Sequence, residues 1–249
     1  IEAESLPTRE IGFTGGEPFM NPDIIAMLGD ALSRGHSVLV LTNAMQPMQR
    51  PRILSGLLKL RDAHGARLTI RVSLDHYGKA CHEEERGAGT YEKTIEGIDW
   101  LATNGFRLAL AGRTCWDESE ESLRAGYAAL AAGRRWPIDA YDPVQLVLFP
   151  EMDARAEVPE ITTACWGILG KSPSEVMCAS SRMVVKRKGA DKPVVLPCTL
   201  LPYDAAFEMG ATLAEAAAAD GGMFEKGAVK LCHPHCAKFC VLGGGSCSV

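Results

Sequence analysis

From Arg9 to Asp153 the sequence keeps returning to one pattern: a short apolar run, a polar or glycine-rich break, then a new element. The runs are REIGF, HSVLVLTNA, ARLTIRVSLDH, FRLALAGRTC and VQLVLFPEMD. Helices are predicted between them, first over 22–34 with Gly35 as its stop, and next from Pro51 to Gly65. The latter carries Ile53, Leu57, Leu58 and Leu60 at helical spacing. A third helix is expected over 90–104, with Ile95, Ile98 and Leu101 inward. A fourth spans ESEESLRAGYAALAAG, whose acidic first turn suits the helix dipole. Between ARLTIRVSLDH and Thr90 the sequence reads as a polar loop. Alternating βαβα with short apolar strands requires a parallel sheet covered by helices. A βα unit takes roughly 30 residues, whereas 14 precede Gly15, so a further element is expected upstream.

In barrels and open α/β sheets alike, the loops after the strand C-termini build the site. Here those loops hold Gly15-Gly16-Glu17, Thr42-Asn43, Ser73 with Asp75, Arg113, and Glu151 with Asp153. In the first of them, IGFTGGEPFMNPDII, two glycines without Cβ let the chain turn sharply and let a ligand approach the backbone. Pro18 ends strand pairing, and Asn21-Pro22 reads as an N-cap with proline at the first helical position. The same residues, taken alone, equally suit a tight βα turn without a ligand.

Past Glu151 the style changes. RMVVKRKGADKPVVLPC reads as a β-hairpin flanked by Cys178 and Cys198, and TLAEAAAAD as a helix with a Thr212/Glu215 capping box. The sequence holds nine cysteines; Cys232, Cys236, Cys240 and Cys247 form C-x3-C-x3-C-x6-C near its end. The odd count, the clustering and the lack of a signal peptide favour reduced, metal-binding thiols over disulfides. On spacing alone, an iron–sulfur cluster, zinc and unliganded thiols all stay open, with His233 and His235 as further ligand candidates. A net charge of −5 gives no basic footprint and argues against nucleic acid and anionic membrane as partners. No apolar run reaches the roughly 20 residues that cross a bilayer. Residue 1 is Ile rather than Met, so the natural start is expected upstream.

FTGGEPFMNPDI, VLTNA, VSLDHY, RGAGTYEKTIEGIDWLATNGF and LPCTLLPYDAAFEMGATLAEA, in this order, resemble radical S-adenosylmethionine (SAM) enzymes of the twitch or SPASM type. The similarity spans almost the whole chain. It implies an α/β fold, a partial (β/α)6 TIM-like barrel over 1–155, followed by a small α+β cysteine-rich auxiliary domain over 156–249. Gly15, Gly16, Glu17 and Pro18 would hold the methionyl ammonium of SAM. Thr42, Asn43, Ser73, Asp75 and Arg113 would contact its ribose and carboxylate. The family's C-x3-C-x2-C loop, which holds the active-site [4Fe–4S] cluster, does not occur in the sequence. Either it lies upstream of Ile1, as the missing βα unit suggests, or the chain is a degenerate member without radical chemistry.

The resemblance further implies at least one auxiliary [4Fe–4S] cluster. Its ligands would come from Cys178, Cys198, Cys236, Cys240 and Cys247, with Cys232 next; Cys81, Cys115 and Cys165 are bystanders. The implied reaction is reductive cleavage of SAM to a 5′-deoxyadenosyl radical that takes hydrogen from a substrate, a peptide or a small molecule. Flavodoxin or ferredoxin would donate the electron, in the cytoplasm. A zinc-binding barrel scaffold without catalysis is the alternative. A phosphate-binding aldolase-like barrel would need a lysine or phosphate-gripping glycines near the last strand, and VQLVLFPEMD offers neither.

Overall fold

The computed structural model describes residues 1, 6–151, 155, 157, 165–170, 172, 176–218 and 238–240. The five apolar runs become β1 (Glu10–Phe13), β2 (Ser37–Thr42), β3 (Leu68–Ser73), β4 (Arg107–Arg113) and β5 (Leu146–Phe149). They form one sheet in the order β1-β2-β3-β4-β5, every neighbouring pair parallel. Strand order that follows chain order is the barrel arrangement; a doubly wound sheet would reverse at a switch point. It also puts all five strand C-termini along one edge. Residues on both faces of β2, β3 and β4 are buried, as expected of strands covered on each side.

The helices are α1 (Ile24–Ser33), α2 (Pro51–His64), α3 (Lys79–Arg86), α4 (Thr90–Thr103) and α5 (Glu120–Arg134). Helix α1 packs on β2 and α2, α2 on β3, and α4 on β4. Leu28, Leu32, Leu57, Ile95, Ile98, Leu101 and Tyr127 join Val40, Ile70 and Val72 of the strands in one buried cluster. Each fully buried aliphatic side chain contributes about 1.5–3 kcal/mol.

Two local expectations are corrected. Helix α1 starts at Ile24, because Pro18–Met20 forms a 3-10 turn and the Asn21 side chain accepts from Asp23 N (2.9 Å). Asn21 therefore shapes an Asx turn in place of a cap. The segment after β3 is helix α3, where a loop was expected. Of its residues only His82 is buried, so there is no apolar stripe to signal a helix.

The chain divides into two compact units, Pro7–Phe149 and a second made of Ile1–Leu6 with Pro150–Val249. The second contains α6 (Trp166–Leu169), α7 (Met177–Ser180), β6 (Met183–Val185), β7 (Val194–Leu196) and α8 (Leu213–Ala218). Strands β6 and β7 pair antiparallel as the expected hairpin. Thr212 Oγ1 accepts from Glu215 N (3.1 Å), and the Glu215 carboxylate returns to Ala211 N (2.6 Å), one residue before the usual partner in a capping box. Val195, Met209 and Ala216 make a small core, with Cys178 and Leu213 packed against it.

Candidate functional site

The loop after β1 turns at Gly15, whose φ of +127° belongs to glycine. Gly16 has an ordinary backbone conformation, and a Cβ at either position would meet nothing within 4 Å. Both glycines are exposed, and Glu17 beside them is half-buried. Glu17 Oε1 accepts from Phe19 N (3.2 Å) and Thr42 Oγ1 (2.9 Å), and Oε2 accepts from Asn43 N (2.9 Å). An ionised carboxylate offers about four acceptor sites, so capacity remains for a cationic group arriving over the glycines. Thr42, having donated to Glu17, accepts from Ala44 N (3.0 Å). The structure thus brings Glu17, Thr42 and Asn43 into direct contact across the ends of β1 and β2.

The Thr42–Ala44 turn is itself held from below. Ala44 is fully buried with φ +56°, a conformation costly for a residue with Cβ. Thr94 Oγ1 of α4 donates to Asn43 O (3.1 Å). Gln49 Nε2 donates to both Ala44 O (2.8 Å) and Lys93 O (2.9 Å).

At the end of β3, Ser73 is half-buried and Asp75 is 4% exposed. Arg86 of α3 grips Asp75 with two parallel bonds, Nε to Oδ2 (2.6 Å) and a terminal nitrogen to Oδ1 (3.0 Å). Asp75 O accepts from Arg113 N (2.9 Å), while the Arg113 guanidinium pairs with Glu85. Both charged groups expected to meet a ligand are therefore occupied by α3. Glu83 accepts from Gly89 N (3.0 Å) and Glu84 from Trp116 Nε1 (3.1 Å), so five successive residues of α3 each grip another segment. Sequence reasoning missed them. Their signal was the HEEER charge run between Gly78, the N-cap, and Gly87, the C-cap.

His82, the fifth of these residues, accepts at Nδ1 from Asp75 N (3.2 Å), which puts its proton on Nε2. That nitrogen is buried without a partner, and burial holds the imidazole pKa below its usual value. Nearby, His76 Nδ1 accepts from Gly78 N (2.8 Å), so Nε2 donates to Glu118 (2.8 Å). Tyr77 and Ser122 donate to the same carboxylate (3.0 and 3.2 Å). Burial pushes the Glu118 pKa up, but these hydrogen bonds outweigh it and hold it below the ordinary range.

Glu151 falls in the second unit, and Asp153 lies outside the described residues. So do Cys232, Cys236 and Cys247, with His233 and His235. Cys198 and Cys240 are buried and Cys178 is half-buried. Burial pushes the Cys198 thiol up to about 11, helped by the nearby Cys240 and Cys178; Cys240 is raised by burial and by Cys178. Among the described residues no group of three or more His, Cys, Asp or Glu is arranged to hold a metal ion. No helix among them is long and apolar enough to cross a membrane.

A family model described as the Radical SAM superfamily matches residues 1–122. Residues 1–122 thus carry a region similar to that superfamily. No curated protein matches the sequence. Among solved structures, Streptococcus suis SuiB bound to S-adenosylmethionine aligns with a TM-score of 0.54 at 11% identity, over 87% of this chain and 55% of that one. A second structure of Streptococcus suis SuiB gives 0.43 at 15% identity, over 60% of this chain and 30% of that one. TYW1 with a lysine-pyruvate adduct gives 0.41 at 14%, over 60% and 44%. This chain therefore spans less than two thirds of each, and the first alignment speaks for the fold alone.

Proposed function

We propose that this chain acts as a radical SAM enzyme of the twitch or SPASM type, with Glu17 as the anchor for the SAM ammonium. The observation that carries the reading is the Glu17 carboxylate, fixed by Phe19 N, Thr42 and Asn43 beside two open glycines at the ligand-binding edge of the sheet. When bound, SAM supplies hydrogen-atom abstraction through reductive cleavage of a C–S bond. This chain's residues orient it: Glu17 sets the ammonium, Gly15 and Gly16 admit it to the backbone, and Ser73 contributes a hydroxyl from β3. Asp75 acts here as a brace for α3, since Arg86 already takes both its oxygens. Arg113 reaches a ligand carboxylate by exchanging its partner Glu85. The three-cysteine loop that would hold the active-site cluster is not among these residues.

In the second unit, Cys178, Cys198 and Cys240, with Cys232, Cys236 or Cys247, would hold an auxiliary [4Fe–4S] cluster, although the three described thiols are not by themselves arranged to hold a metal. The mutual influence of the three described thiols supports this set. A peptide is the first substrate class and a small metabolite the second, with a flavodoxin or ferredoxin as electron donor. The test is Glu17→Gln in anaerobically reconstituted protein. Loss of one charge-assisted contact should raise the SAM Kd by about tenfold or more, each tenfold being about 1.4 kcal/mol. Wild-type affinity in the folded variant overturns the assignment.

A further inference from the structure

Gly97 lies inside α4. A Cβ built on it would sit 2.0 Å from Ala44 O, 2.9 Å from Ala44 C and 2.8 Å from Ala44 Cβ. The obstacle is backbone, so no side-chain rotation relieves it. Gly97 belongs to the same helix turn as Lys93 and Thr94, whose neighbourhood binds the Thr42–Ala44 turn through Gln49 and the Thr94 hydroxyl.

We propose that Gly97 is a positioning residue for Glu17: α4 presses the Thr42–Ala44 turn into the shape that lets Thr42 Oγ1 and Asn43 N grip the Glu17 carboxylate. This inference rests on the reading of Glu17 as the ammonium anchor. Two facts decide which partner yields when the contact is overfilled. Helix α4 is fixed by Ile95, Ile98 and Leu101, each no more than 1% exposed. The turn is short and already holds Ala44 at φ +56°, a conformation that stores about 1–2 kcal/mol. The turn therefore moves, carrying Asn43 N and Thr42 Oγ1 away from Glu17. Glycine at position 97 is needed for this close approach, since its own backbone is ordinary helix.

The experiment uses Gly97→Ala in the full protein, with two readouts. In the ligand-free protein, hydrogen exchange at the Asn43 amide should rise about tenfold or more, while amides within β3 keep their protection. In the reconstituted holoenzyme, the SAM Kd should rise about tenfold, and adding Gly97→Ala to Glu17→Gln should change it less than twofold. Unchanged Asn43 exchange, or full loss of affinity on top of Glu17→Gln, overturns the inference. A wild-type protein that does not bind SAM overturns the Glu17 reading instead, and Asn43 exchange then still decides the role of Gly97. Should Gly97→Ala fail to fold, Gln49→Ala severs the same tie from the turn side. It should give the same two changes, and wild-type behaviour of that variant overturns the inference.

Discussion

Gly15 and Gly16 are adjacent and exposed, yet the backbone treats them differently. Gly15 sits at φ +127°, where a side chain is strained whatever the space around it. Gly16 has no such constraint, and a Cβ there meets open space. Gly16→Val should therefore fold with stability within about 1 kcal/mol of wild type. Its isopropyl group would stand where ligand and backbone approach, so SAM affinity should fall by about tenfold or more. Calorimetry beside a thermal melt separates the two effects, and unchanged affinity in a folded protein puts the ligand elsewhere. The GGEP loop was legible because glycine, carboxylate and proline act within a few residues of one another. The partners of Asp75 and Arg113 were not, since they come from positions 11 and 28 residues away on a helix that the sequence did not announce.

That helix shows what sequence periodicity registers. Every strand of the sheet and helices α1, α2, α4 and α5 were readable because each buries an apolar face. Helix α3 is held by side-chain hydrogen bonds and ion pairs around one buried histidine, and no period of apolar residues records such bonds. The same chemistry predicts its pH response. His82 has a folded pKa below its unfolded value near 6.5 because burial disfavours the cation. The guanidinium of Arg86 and the ring of His76 reinforce this to a lesser degree, against Asp75 and Glu83, which favour the cation. A depressed histidine contributes stability fully present above the unfolded pKa and lost as pH falls through the folded one. Glu118, also depressed, acts in the same direction lower in pH. The thermal midpoint should thus drop on the order of several degrees between pH 7 and pH 5. His82→Gln should be less stable at pH 7 but show a flatter profile over that interval. An unchanged slope would assign the acid sensitivity to other groups.

At the scale of the whole molecule, each unit buries apolar side chains of its own. The first holds one large apolar cluster; in the second, Val195, Met209 and Ala216 pack with Cys178 and Leu213, and Trp166, Met177, Leu201, Phe207 and Phe239 are buried as well. A metal shared by distant cysteines would add a further tie between segments of the second unit. With the Cys198 thiol raised to about 11 and Cys240 raised as well, these two groups are protonated at neutral pH without metal. Metal loading must then release protons, so it should strengthen as pH rises. Cys178→Ala removes one proposed ligand beside the hairpin while leaving the sheet unit untouched. The variant should lose its auxiliary iron, and the segment after Val176 should become sensitive to protease, while the unit spanning Pro7–Phe149 keeps its resistance. A zinc site built from Cys232, Cys236, Cys240 and Cys247 alone predicts instead full metal retention and no change in proteolysis. Metal analysis on the same preparation distinguishes them: retained metal with retained protease resistance would make Cys178 an ordinary packing thiol and remove it from the ligand set.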